Sequence, residues 1–119
     1  MRRKYRLKSS VDFQSVYTKG RSVANKAAVL YVLPQKPSVD PTRVGFAAGK
    51  KLGKAVVRNR MRRRIREAVR LLWTRVKPGY LLIVIARQGA KDMPFQQLQA
   101  RVTELFERAG VLRAEGQGS

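Results

Sequence analysis

Phosphate recognition is the chemistry for which this chain is best equipped. Lys50, Lys51, Lys54, Arg58, Arg60, Arg62, Arg63, Arg64, Arg66 and Arg70 stand in one segment against a single acid, Glu67. A guanidinium can hold a phosphate through two donors or stack on a base. Asn59, set among these cations, adds both a donor and an acceptor. A merely solvated helix face alternates its charges to gain pairs between neighbouring turns, and this segment has almost no acid to pair with. A membrane-surface helix would need large aromatic anchors, which are absent before Trp73, and an apolar face free of the core.

Composition points the same way. The 119 residues carry 27 basic and 7 acidic side chains, a formal net charge of +20. Repulsion of that size is relieved by an anionic partner, and cations that neutralise phosphates release condensed counterions. Nucleic acid is the leading candidate, with an anionic membrane surface as the other. Cysteine and histidine are both absent. That excludes disulfides, thiolate or imidazole zinc sites, and nucleophiles or ribonuclease mechanisms served by histidine. The carboxylates are Asp12, Asp40, Glu67, Asp92, Glu104, Glu107 and Glu115. They form no D-x-D or D-x-x-E cluster of the kind a two-metal nuclease needs. No catalytic residue and no protein metal ligand is therefore assigned.

The elements that must position the cations read as one domain over residues 1–119, with 44% hydrophobic residues to build a core. Residues 1–8 and 111–119 are expected to be loosely ordered. Ser9 or Ser10 caps a first helix to about Lys19, ended by Gly20. Phe13 and Tyr17 share a face of it. Ala27–Leu33 reads as a strand covered on both faces, with SVAN before it as a short strand or bend. Pro34, Pro37 and Pro41 punctuate a loop. Thr42–Gly49 is a second strand, whose Ala and Gly leave room for close approach. Gly53 opens the basic helix, which runs to about Trp73, read as core or helix-end packing. Tyr80–Arg87 is the most strand-like segment. A last helix from Pro94 or Phe95 to Ala109 carries Leu98, Val102, Leu105 and Phe106 on one face and is stopped by Gly110. No apolar run reaches membrane-spanning length, and the basic N-terminus lacks an apolar signal region, so the expected location is the cytoplasm.

Phased on a helix with Arg58 at 0°, Val57, Met61, Ile65, Ala68, Val69 and Leu72 fall between roughly 260° and 20°. That stripe suits packing on a sheet. Arg58, Arg62, Arg63, Arg66 and Arg70 fall between roughly 0° and 140°, with Asn59 near 100° at the centre and Arg60 and Arg64 on the far flank.

The motif Arg58-Asn59-Arg60, followed by Arg62, Arg63, Ile65 and Arg66, resembles the signature of the bacterial ribonuclease P protein subunit. Other elements agree in order. These are Val44, Gly45, Lys50 and Lys51 before the helix, then Gly53, Ala55 and Val56, the N-terminal Arg6, Leu7, Lys8, Asp12 and Phe13, and the strand YLLIVIAR. The resemblance covers roughly residues 5–108. Arg64 departs from it, standing where an apolar residue is common.

The resemblance implies an α+β fold, an α/β two-layer sandwich ordered helix–strands–helix–strand–helix. It also implies a left-handed βαβ crossover like that of the second domain of a small-subunit ribosomal protein, whereas physics alone favours a right-handed one. It implies an endonuclease holoenzyme in which an RNA subunit is the catalyst. Magnesium ions held mainly by RNA would serve removal of the 5′ leader from precursor tRNA. Lys50, Lys51, Lys54, Arg58, Asn59, Arg60, Arg62, Arg63, Arg66 and Arg70 would face ribonuclease P RNA. Phe13, Tyr17 and Tyr31 would line a cleft for the single-stranded leader, although a Phe/Tyr pair beside a sheet also suits simple core packing. The expected partners are ribonuclease P RNA and precursor tRNA, with no membrane and no required protein oligomer. Two other functions compete: a ribosomal-type structural rRNA binder and a protein-only nuclease. The first needs no solvent-open aromatic groove, and the second is disfavoured by the missing histidine and acid clusters.

Overall fold

The computed structural model describes residues 3–36 and 39–114; residues 1, 2, 37, 38 and 115–119, with Pro37 and Glu115 among them, lie outside that range. A four-stranded sheet organises the chain in the order β1-β2-β4-β3, from β1 (Arg21–Ala24), β2 (Ala28–Pro34), β3 (Arg43–Ala48) and β4 (Tyr80–Ala86). Strands β1 and β2 are antiparallel, as are β2 and β4, while β3 and β4 run parallel. The helices are α1 (Ser10–Lys19), α2 (Ala55–Leu72) and α3 (Phe95–Ala109).

Alternation along the strands divides the apolar residues between two faces. Leu30, Val32, Val44, Leu82 and Val84 meet Met61, Ile65, Val69, Leu98, Val102 and Phe106 from α2 and α3 in the larger core. The residues of opposite parity, Tyr31, Leu33, Leu81, Ile83 and Ile85, meet Leu7, Phe13 and Val16 in a smaller one. The α+β class is as expected. The layering is more detailed than two layers: α2 and α3 cover one face, and α1 partly covers the other. Full burial of Leu82, Ile83 and Val84 in succession follows from that double coverage.

The Ser9 side chain caps α1 by accepting from the Val11 N–H. Gly20 closes α1 in extended backbone, at φ −77°. Its glycine is required by close approach, since a Cβ there would lie 2.5 Å from the Val16 carbonyl oxygen and 2.9 Å from that of Val32. Gly53, at φ +135°, separates a short 3-10 turn (Lys50–Leu52) from α2. Gly110 ends α3 in the left-handed conformation. Arg64, which stands where the resembled family commonly has an apolar residue, reaches from α2 to the carbonyls of Ala90 and Met93 and so fixes the loop that leads into α3.

The expectation of loose ends does not hold for the described residues. Arg6 bridges Val44 in parallel fashion, the Leu7 N–H donates to the Val44 carbonyl at 3.0 Å, and Leu7 is buried. The exposed edge of β3 thus gains a partner. At the other end Val111 is buried, Leu112 bridges Val76, and the Arg113 N–H donates to the Arg75 carbonyl at 2.6 Å.

Candidate nucleic-acid interface

Helix α2 buries Met61, Ile65, Ala68, Val69 and Leu72, the stripe that the phasing predicts, and leaves Arg60, Arg63 and Arg70 exposed and Arg62 and Arg66 half-buried. Asn59, Arg62, Arg63 and Arg66, with Val56, line one open groove. Arg62 donates to the Asn59 side-chain oxygen, which leaves the Asn59 amide N–H₂ available to a base or phosphate. Arg66 is half-buried, with its guanidinium carbon 5.8 Å from the centre of the Phe46 ring, a cation–π contact. Burial, then the nearby charges of Arg6, Arg62 and Arg63, pull its guanidinium below the ordinary value. A polyanion would relieve that concentration of charge.

The other expected phosphate contacts divide. Arg58 turns back to the sheet, its Nε donating to the Ala48 carbonyl at 3.1 Å, so it joins α2 to the end of β3. Arg70 pairs with Glu67 through two hydrogen bonds of 2.9 and 2.5 Å. The hydrogen bond from Arg70 holds the Glu67 carboxyl below its usual range. Arg70 is therefore paired with an acid at the surface, as its i, i+3 spacing allows. Arg60 lies on the far flank, in a hollow shared with Arg63, Arg64, Glu67 and Phe95. Lys50, Lys51 and Lys54 are exposed ahead of α2.

Across the edge of β3 the cations continue. Lys4, Arg6, Lys8 and Arg43 surround a shallow hollow with Ser9 and Asp12. Arg6, close enough to Arg66 for its charge to be felt there, links the hollow to α2. Of these, Arg6, Lys8 and Asp12 belong to the N-terminal pattern, and Lys4 and Arg43 carry no sequence signal. Their role depends on the pairing of residues 6 and 7 with β3, a long-range contact that spacing does not announce.

On the α1 face of the sheet lie the three aromatics expected to line a cleft, Phe13 and Tyr31 being packed against the smaller core. The Phe13 ring rests on Gly45, where a Cβ would stand 2.5 Å from its Cζ. Tyr17 and Tyr31 meet edge to face, with centroids 5.2 Å apart at 80°. Phe13 and Tyr31 are half-buried and Tyr17 is 41% exposed. Burial, then the neighbouring Tyr31, raises the Tyr17 phenol above its ordinary value. Val29, Ile85 and Ala47, which pair across neighbouring strands in one row, are half-buried on the same face of the sheet. They form an apolar floor beside the aromatics. Strand parity with Tyr31 and Ile83 is the signal that marks them.

Among the described residues the acids stay apart. Glu104 accepts from the Asn25 amide at 2.8 Å and lies 3.5 Å from Arg101, and among the described residues no three Asp or Glu side chains could share a metal ion.

A family model described as Ribonuclease P matches residues 1–110. The chain belongs to the ribonuclease P protein family. The ribonuclease P protein component of Symbiobacterium thermophilum is 67% identical over 116 residues, covering 98% of this chain and all of that protein. The component from Clostridioides difficile is 43% identical, covering 88% of this chain and 91% of its own. Among solved structures, the RNase P protein of Staphylococcus aureus superposes with a TM-score of 0.80 at 40% identity, over 92% of this chain and 98% of that one. The RNase P protein of Thermotoga maritima does so at 0.77 and 26% identity, over 87% and 96%. No helix among the described residues is long and apolar enough to cross a membrane.

Proposed function

We propose that this chain is the protein subunit of ribonuclease P, acting with a catalytic RNA in tRNA processing. In this reading the α2 groove of Asn59, Arg62, Arg63 and Arg66 docks on ribonuclease P RNA. The cleft of Phe13, Tyr17 and Tyr31 holds the single-stranded 5′ leader of precursor tRNA. Aromatic faces stack unpaired bases with little sequence demand, at about 1–3 kcal/mol per base. The observation that carries the reading is the pairing of these two surfaces, joined over the β3 edge by Arg6, Lys8 and Arg43. A structural rRNA binder would need the first surface and not the second.

Among the described residues the acids do not fit a magnesium site, because no three come together and Glu67 and Glu104 are already engaged. The magnesium ions of the reaction would be held mainly by RNA. The protein's contribution is then binding and orientation: cations hold the backbone of both RNAs, and the cleft holds the leader on one path.

The test is equilibrium binding of precursor and mature tRNA to the reconstituted RNA–protein complex. Phe13→Ala should weaken precursor binding by about tenfold, the value of one stacked base, and leave mature tRNA binding unchanged. Equal loss for both substrates would remove the cleft from leader recognition.

A further inference from the structure

A second aromatic hollow lies at the opposite end of α2, away from the cleft. Tyr5 and Trp73 form its wall, with ring centroids 5.5 Å apart and planes inclined at 52°. It offers about 390 Å³ of open space and is lined also by Thr42, Lys77 and Arg113. A volume in this range suits a small ligand.

Packing alone accounts for part of this arrangement, since Tyr5 on Trp73 anchors the N-terminal 3-10 turn (Arg3–Tyr5). It does not account for the rest. Both rings stay half-buried at an open hollow. The Lys4 ammonium sits 5.1 Å from the Tyr5 ring centre. Lys77 donates to the Gly110 carbonyl at 3.2 Å and Arg113 to that of Thr74 at 3.1 Å, and each keeps further N–H donors and its positive charge beside the negative end of the α2 dipole. Apolar ring faces beside several cations complement an RNA base and its phosphate. Tyr5 stands in the chain between Lys4 and Arg6, both of which line the cationic hollow beside β3.

We propose that the Tyr5–Trp73 hollow is a second nucleotide subsite, which takes one unstacked RNA base on the rings and its phosphate on Lys77 and Arg113. This rests on the RNA-binding reading above and adds a contact separate from the leader cleft.

Trp73 is the sole tryptophan of the chain, so its emission reports the hollow directly. The full chain is titrated with 5′-labelled hexa-adenylate, following the anisotropy of the label and the emission of Trp73 together. A saturable change in emission is expected. Tyr5→Leu should weaken the binding that this change reports by about tenfold. Lys77→Gln, an exposed substitution, should lower the slope of log K against log salt by about 0.7, one single-strand phosphate. Phe13→Ala should leave the emission change in place. Binding seen by anisotropy with unaltered Trp73 emission, or an unchanged slope in Lys77→Gln, would overturn the subsite and leave the RNA-binding reading standing. Absence of any anisotropy change would overturn both.

Discussion

Gly45→Ala perturbs the proposed leader cleft without touching its aromatic residues. The added Cβ would stand 2.5 Å from Phe13 Cζ and 2.7 Å from Cε1, whereas ordinary contact begins near 3.4 Å. The ring must therefore retreat by about 0.9 Å, the difference between those distances. Phe13 can do so because the clash involves the far end of a rotatable side chain. The stability cost should fall near the low end of the roughly 1–3 kcal/mol seen for overpacked sites. Displacing the ring removes most of one stacking interaction, about 1–3 kcal/mol. At about 1.4 kcal/mol per factor of ten, the preference for precursor over mature tRNA should fall roughly tenfold. The assay measures both dissociation constants with the reconstituted complex and follows thermal unfolding of the protein alone. A folded variant with undiminished preference would refute the argument that Phe13, seated on Gly45, recognises the leader.

Other outcomes follow from the same geometry. Glu67→Gln should free Arg70 and steepen the salt dependence of binding to ribonuclease P RNA by about 0.9, one phosphate; an unchanged slope would place Arg70 outside the interface. Ile65→Ala, at a fully buried position between α2 and the sheet, should cost about 2–5 kcal/mol in denaturant unfolding, and a loss below 1 kcal/mol would contradict the assigned core stripe. The Tyr17 phenol is raised by burial and by Tyr31, so its neutral form is favoured in the folded state. Its contribution to stability is present below the ordinary value of 10.0 and is lost as pH rises through the raised one. In an ultraviolet titration, Tyr17→Phe should remove a late-titrating phenol, and removal of an early one would reverse the sign.

What the sequence made legible was local. The i, i+4 stripe of Met61, Ile65 and Val69 separated a buried face from a cationic one, because helical geometry alone sets that division. The i, i+3 spacing of Glu67 and Arg70 was equally visible, but whether two exposed side chains pair depends on rotamers. Long-range contacts stayed hidden. Leu7 stands between Arg6 and Lys8, so nothing nearby marks it for burial; the free edge of β3 does. Gly20 reads as a helix stop, yet its glycine answers to the backbone of Val32 on another element. The floor of Val29, Ala47 and Ile85 follows strand parity, but only once the order β1-β2-β4-β3 sets the three strands side by side.

Cleavage of precursor tRNA, with and without a bacterial ribonuclease P RNA, tests the proposed division of labour most directly. With magnesium and the RNA present, adding the protein should promote release of the 5′ leader at a single site. With magnesium and the protein alone, the precursor should remain intact. Leader release by the RNA-free protein would contradict the assignment, because it would require catalytic groups that this chain's scattered acids and missing histidines do not provide.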